Sequence, residues 1–289
     1  MDPQQGCGGG EGRRIAGIAF GLGAQALFGV CIWRLFWFLH GDLSTGEIPE
    51  GDVAFAAEAV SGLNALLFDA ALAVQFAVSH SLLLWPPVQK RLKRWIAGEF
   101  YGSAYSVVAC LSLLLLFSAW QTSPVVLWRM HGLAVVGMHA GFYVSWGALF
   151  YSLSLTGFGY QTGWTQWCCW FFRRTLPRRA FQPRGAYLWF RHPIYASFLG
   201  LLWFTPTMTL DHAVLTGLWT VYLLYGSYLK DERLAFFLGD DYRRYQAAVP
   251  GYPGLPLGSL GRRPLQNEPA LALPRGLHPM TDTLEGREK

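Results

Sequence analysis

The sequence predicts an all-α fold, a polytopic membrane bundle of about six spans with a helical hairpin near its C-terminus. Three observations carry that expectation. The apolar fraction is 52% while only 14% of residues are charged, against about 25% charged in a soluble domain. The apolar residues fall into long runs. The basic stretches Arg13-Arg14, Lys90 to Arg94, Arg173 to Arg191 and Arg243-Arg244 all land on one side if six runs cross, which makes that side cytoplasmic and places both termini there. The net charge of +5 is then a property of cytoplasmic loops. No basic pattern interleaved with aromatic residues points to a nucleic-acid partner.

Residues 1–14 form a polar, Gly-rich N-terminal segment. Ile15 to Leu39 is the first span. It is too long for a signal-peptide core and has no small-residue cleavage site, so it is expected to be retained. Arg34 lies near its far end, where a long side chain snorkels to the interface. His40 to Ala59 is an acidic loop with no Lys or Arg. Val60 to Trp85 is the second span, closed by Pro86-Pro87. It carries Asp69, and a carboxylate at membrane depth must face protein or water, as a functional group or in a helix-to-helix hydrogen bond.

Ala104 to Gln121 is the third span, and Thr122 to His131 a short connector. Gly132 to Leu155 is the fourth, in which Gly137, Gly141 and Gly147 favour close helix approach and His139 reads as an interhelical donor. Gly157 to Phe190 does not span. Its tryptophans and phenylalanines, followed by Arg173, Arg174, Arg178, Arg179 and Arg184, describe a segment lying in the interface against anionic lipid headgroups, an anchor or a substrate gate. Pro193 to Leu210 is the fifth span, short and broken at Pro206; a half-helix is the other form it can take. Asp211-His212 make the turn, and Ala213 to Leu229 returns as the sixth. Residues 15–256 are thus the membrane domain and 257–289 a flexible tail. The cysteines Cys7, Cys31, Cys110, Cys168 and Cys169 have neither the spacing of a zinc site nor that of a disulfide framework, and no metal site is expected.

The chemistry-bearing residues bracket the last hairpin. Arg191, His192, Pro193 and Tyr195 precede one helix; Asp231, Glu232 and Arg233 follow the other, with Tyr242 and Tyr245 just beyond. Antiparallel packing brings the two groups together. Pro193 suits the first position of a helix, and the free N–H groups there suit a carboxylate or phosphate. Glu232 can accept hydrogen bonds from ribose hydroxyls or an amino group, and the tyrosines offer faces to an adenine or a sulfonium. A lipid headgroup and a nucleotide fit these residue types as well.

Arg191-His192-Pro193-Ile194-Tyr195, with Gly185 before it, Asp231-Glu232-Arg233 and Gly239-x2-Tyr242-x2-Tyr245 after it, resembles the C-terminal half of the isoprenylcysteine carboxyl methyltransferase and phospholipid methyltransferase superfamily. Gln75 to Ser81 and Phe204 to Thr209 are similar to its methanethiol S-methyltransferase branch, of which nurim is a relative. The resemblance covers roughly residues 60 to 256. It implies S-adenosyl-L-methionine as cofactor, held by Arg191, His192, Pro193, Tyr195, Asp231, Glu232, Tyr242 and Tyr245. Asp231-Glu232 stands where Glu-Glu is usual, and Gly102 where the branch carries Arg.

The activity implied is methyl transfer to a small thiol such as methanethiol. A thiolate attacks far better than a thiol, so His192, Glu232 and His80 are candidates for the base and Arg191 or Arg233 for a supporting positive field. Asp69 would approach from the same span as His80, whose other reading is a structural hydrogen bond. Methylation of an isoprenylcysteine carboxylate or a phospholipid amine, and a non-catalytic role like that of nurim or NnrU, are the competing readings.

Overall fold

A computed structural model describes residues 8–40, 55–177 and 181–265 of the chain. The acidic loop up to residue 54, the arginines at 178 and 179, Cys7 and the chain from residue 266 onward lie outside the described residues.

Helices dominate, in the order α1 (Gly8–His40), α2 (Phe55–Leu84), α3 (Pro86–Leu92), α4 (Gly98–Ala119), β1 (Val126–Arg129), α5 (Leu133–Thr156), α6 (Phe158–Gln161), α7 (Trp164–Phe171), α8 (Pro193–Trp203), β2 (Thr207–Thr209), α9 (Leu210–Leu238) and α10 (Asp240–Ala248). Residues 11–40, 62–84, 98–119 and 133–156 are each long and apolar enough to cross a bilayer. Helix ends fall where local chemistry puts them. Pro86 and Pro87 stop α2 and open α3. Gly157, at φ 78, closes α5 in the left-handed conformation that glycine adopts without strain.

α4 packs against α1 and α2, α9 against α2, and α8 between α5 and α9. Leu72, Leu116, Phe142, Trp146, Leu201, Leu215 and Trp219 meet in the shared core. Val74, Val78, Leu111, Leu115, Val136 and Val144 point outward and exposed, as a lipid-facing surface requires. Asp69 is fully buried, and its Oδ1 accepts from the Gln121 backbone N–H at 3.1 Å. Asp211, also buried, accepts from Trp120 Nε1 at 2.8 Å and from the Ser123 N–H at 3.0 Å. The two acids therefore pin the connector between α4 and β1.

Several boundaries differ from the sequence expectation. The fifth apolar run ends as a helix at Trp203 rather than Leu210, giving 11 residues, about 16 Å at 1.5 Å per residue and short of the roughly 30 Å hydrocarbon core. Pro206 has no N–H to continue it, and the chain runs on extended into β2, which pairs antiparallel with β1. Sequence reasoning missed this ribbon because the strands are only four and three residues long. The broken backbone is satisfied by protein: the Leu202 carbonyl lies 3.4 Å from His212 Nε2 and from Thr216 Oγ1, and Trp128 Nε1 donates to Thr205 O at 3.3 Å. Asp211 and His212 open α9 instead of forming the turn, and α9 runs 29 residues, past the expected end at Leu229.

Of the three glycines on α5, only Gly141 is at a close approach: a Cβ there would lie 2.7 Å from the Phe204 ring, whereas Gly137 and Gly147 face open space. Ordered structure also continues beyond residue 256. Gly251 N–H donates to Gly261 O at 3.3 Å and Arg263 N–H to Gln246 O at 3.0 Å, so the folded domain reaches at least Leu265.

Candidate functional site

α8 begins where α9 ends. Pro193 occupies the first turn of α8 with His192 as the preceding cap, and Asp231 lies on α9 one turn beyond the apolar stretch. Arg191 Nη2 and Nε donate to Asp231 Oδ2 at 2.7 and 3.1 Å, and both side chains are wholly buried. Arg191 Nη1 reaches the Gln246 carbonyl at 3.1 Å and that of Val249 as well. Tyr242 donates its hydroxyl to Asp231 Oδ1 at 2.5 Å. The Arg191 and His192 N–H groups donate to Pro250 O at 2.9 Å and Gly251 O at 3.2 Å. One buried network thus ties the entry of α8, the exit of α9, α10 and the segment after it.

Burial alone would raise the Asp231 carboxyl, but the neighbouring His192, Arg191 and Tyr242 outweigh it and hold Asp231 well below the usual carboxylate range. Burial pushes the His192 imidazole down, with Asp231 working against it. His192 Nε2 lies 3.3 Å from Asp231 Oδ2 without the alignment of a hydrogen bond, and Nδ1 has no partner either.

This arrangement divides the residues expected to hold a cofactor. Arg191, Asp231 and Tyr242 have their polar atoms turned on one another, which makes them scaffold rather than an open binding surface. Tyr245 donates its hydroxyl to Tyr187 O at 2.5 Å and packs its ring on Phe181 and Tyr242, so its face is covered. His192, Tyr195 and Glu232 keep free capacity. The Tyr195 ring lies 5.6 Å from that of His192 and 5.4 Å from Lys230 Nζ, and its hydroxyl makes no hydrogen bond among the described residues. Glu232 is exposed and forms an ion pair with Arg263. Arg233 is exposed and has no ion pair among the described residues.

His80 comes from α2 to the same neighbourhood. Its Nδ1 lies 2.8 Å from the Tyr222 hydroxyl, and its ring is 5.4 Å from that of Tyr105. Tyr195 is within electrostatic reach of Tyr222, Tyr252 and Arg233, and Tyr105 of Tyr222, Tyr195 and Arg233. His80, Tyr105, Tyr222, Tyr195, Arg233 and His192 therefore form a continuous, mostly aromatic polar patch between α2, α4, α8 and α9.

Sequence reasoning missed Tyr105, Tyr222, Lys230, Tyr252 and Arg263. A signal existed for two of them. Tyr222, Gly226 and Lys230 follow one another at i, i+4 and i+8 and share one face of α9, and Tyr195 packs on Gly226. Tyr252 has a buried hydroxyl beside Ser227, sets its ring tilted at 5.4 Å from that of His192, and is pushed up to about 12 by burial, with Ser227 working against it. A hollow of about 480 Å³ opens alongside, lined by Tyr151, Gly185, Ala186, Trp189, Phe190 and Pro253, and so by none of the residues expected to hold a cofactor.

Comparison with known proteins gives a consistent set of relatives. The chain is 30% identical over 246 residues to the methanethiol S-methyltransferase of Pseudomonas sp. (strain GM41(2012)), covering 82% of this chain and 89% of that one. It is 29% identical to methanethiol S-methyltransferase 1 of Bradyrhizobium diazoefficiens, covering 82% and 81%. Nurim of Xenopus laevis is 27% identical over 71% of this chain and 74% of its own. No family model matches the chain, and no solved structure matches it.

Proposed function

The chain belongs to the branch of membrane methyltransferases that holds the methanethiol S-methyltransferases and nurim, and on that premise we propose that it transfers a methyl group from S-adenosyl-L-methionine to the sulfur of a small thiol such as methanethiol, giving dimethyl sulfide. The observation that supports the proposal is the return of α9 onto the entry of α8, where Asp231 meets Arg191 and His192, Lys230 lies over the Tyr195 ring, and Tyr195 packs on Gly226, one turn from the Tyr222 that pairs with His80. When bound, the donor supplies a methyl group on a positively charged sulfur.

The residues suit such a donor. His192 Nδ1, buried without a partner among the described residues, is a polar atom in want of one. Glu232 supplies a carboxylate for a ribose or amino group, Lys230 a cation for a carboxylate, and Tyr195 an aromatic surface. Arg191, Asp231 and Tyr242 hold these groups in place. On the acceptor side, His80 takes the thiol proton, with the Tyr222 hydroxyl fixing its ring through Nδ1 and leaving Nε2 for the acceptor. Arg233 adds positive field that favours thiolate. The chain's main contribution is alignment and exclusion of water.

The same reading takes α8, the extended Phe204 to Thr209 and α9 as a fifth and sixth crossing. About 16 Å of helix plus up to roughly 20 Å of extended chain is enough to reach across the core. Both termini and the site are then cytoplasmic. A small apolar thiol dissolves in the bilayer and enters between helices. The test is headspace measurement of dimethyl sulfide from purified protein given S-adenosyl-L-methionine and methanethiol. The proposal expects turnover that His80→Ala abolishes; donor binding without sulfide formation would overturn the acceptor, and no donor binding would overturn the methyl donor.

A further inference from the structure

The same end of the bundle carries a second polar feature that the methyl-transfer reading leaves unused. A hollow of about 580 Å³ is lined by Arg13 and Arg14 at the start of α1 and by Arg173 and Arg174 just after α7, over a floor that includes Phe100 and Trp170. The two floor rings meet edge to face at 4.8 Å. They are held against α1 at Gly17, where a Cβ would lie 2.6 Å from Trp170 and 2.9 Å from Phe100. α7 itself is fixed by Trp167, whose Nε1 donates to Gly17 O at 3.0 Å. The arginines are thus brought together from segments some 160 residues apart by a packed aromatic joint.

All four arginines are exposed, and none makes an ion pair among the described residues. Arg243 and Arg244, also on this end, pair with Asp240 and Asp241 at 3.3 and 2.6 Å. Arg173 is also the one non-glycine residue with positive φ among the described residues, at 53°. Its N–H donates to Trp170 O at 3.2 Å and that of Arg174 to Cys169 O at 2.7 Å. This is the helix-ending turn in which glycine normally occupies the left-handed position without strain. An arginine kept there against its backbone preference points to a use for its side chain.

We propose that this hollow binds the headgroup of a polyanionic phospholipid, one carrying two or more negative charges, with its acyl chains running along Phe100 and Trp170. Four converging, unneutralised guanidinium groups exceed what a single phosphodiester can neutralise. Their planar forks match phosphate oxygens. The volume lies in the range of about 300–1,000 Å³ usual for ligand sites. An aromatic floor at the membrane surface suits a lipid better than a freely soluble anion, and basic pockets beside membrane helices select such headgroups.

The test uses the full chain in nanodiscs of neutral phosphatidylcholine. They are doped with either a bisphosphorylated phosphoinositide or phosphatidylserine at equal total charge. Bound lipid is counted by native mass spectrometry. The proposal expects one phosphoinositide retained per chain and no such retention of phosphatidylserine. Arg13→Ala with Arg14→Ala lowers the affinity by on the order of thirtyfold. Arg173→Gly weakens binding several-fold while the thermal midpoint holds or rises, and Arg243→Ala with Arg244→Ala changes nothing. Equal retention of both lipids would reduce the feature to general surface attraction, as would full binding in the Arg13/Arg14 and Arg173 variants. Equal affinity for the soluble inositol phosphate headgroup would assign the hollow to a free phosphate. Either result overturns the proposal, and neither bears on methyl transfer.

Discussion

Replacing Asp231 with alanine strands the Arg191 guanidinium in the interior. Both side chains of the pair are wholly buried, and removing one partner of a buried pair costs about 3–5 kcal/mol because the other charge stays behind without compensation. The Tyr242 hydroxyl loses its acceptor in the same step. The next residue behaves oppositely. Glu232 pairs with Arg263 while half exposed, and an exposed pair is worth about 0–1 kcal/mol. Two adjacent acids should therefore separate cleanly in denaturant or thermal unfolding of the detergent-solubilised chain. Asp231→Ala loses about 3–5 kcal/mol, and Glu232→Ala stays within about 1 kcal/mol of wild type. In calorimetric titration with S-adenosyl-L-methionine, Glu232→Ala binds more weakly by about ten- to a hundredfold, for one charge-assisted hydrogen bond of about 1.5–3 kcal/mol. An Asp231→Ala protein as stable as wild type would refute the division of roles, and so would a Glu232→Ala protein that unfolds or binds the donor unchanged.

Stability should fall on acidification before any ordinary carboxylate titrates. The folded pKa of His192 lies below its unfolded value of about 6.5, so its contribution is full above that value and is lost as pH falls below it; unfolding measured across that range should lose this slope in His192→Gln. Asp231, also depressed, keeps its contribution until pH falls below about 3.9. At Gly163, φ is +79° and a Cβ would lie 2.2 Å from the Ser103 nitrogen. Gly163→Ala should therefore cost at least about 2 kcal/mol in thermal unfolding, whereas Gly137→Ala, which meets open space, should be neutral or stabilising by up to about 1 kcal/mol. Tyr222→Phe removes the hydroxyl beside His80 Nδ1. It should lower kcat for dimethyl sulfide formation by on the order of tenfold, with a stability change near 1 kcal/mol, and an unchanged kcat would show that the Tyr222 hydroxyl does not position His80.

Gly102 shows how a glycine that the sequence leaves without a reason acquires one in three dimensions. In the fold, a Cβ on Gly102 would lie 2.7 Å from the Gly163 Cα, so the start of α4 and the start of α7 meet backbone to backbone. That contact holds α7 in place and with it the aromatic joint beside Arg173.

Hydrophobic length was enough to mark the four long apolar helices, because a bilayer demands it of any helix that crosses. The bracketing of the last hairpin by Arg191-His192 and Asp231-Glu232 was legible for a similar reason: a chain that turns back must return to where it started. Which polar atoms remain free there was not legible. Sequence lists Asp231 and Glu232 as equivalent neighbours, but successive residues on a helix point about 100° apart, and packing alone decides that one is sealed against Arg191 while the other reaches the surface. The four arginines around the second hollow come from segments some 160 residues apart. No periodicity joins them; only the docking of α7 on α1 does.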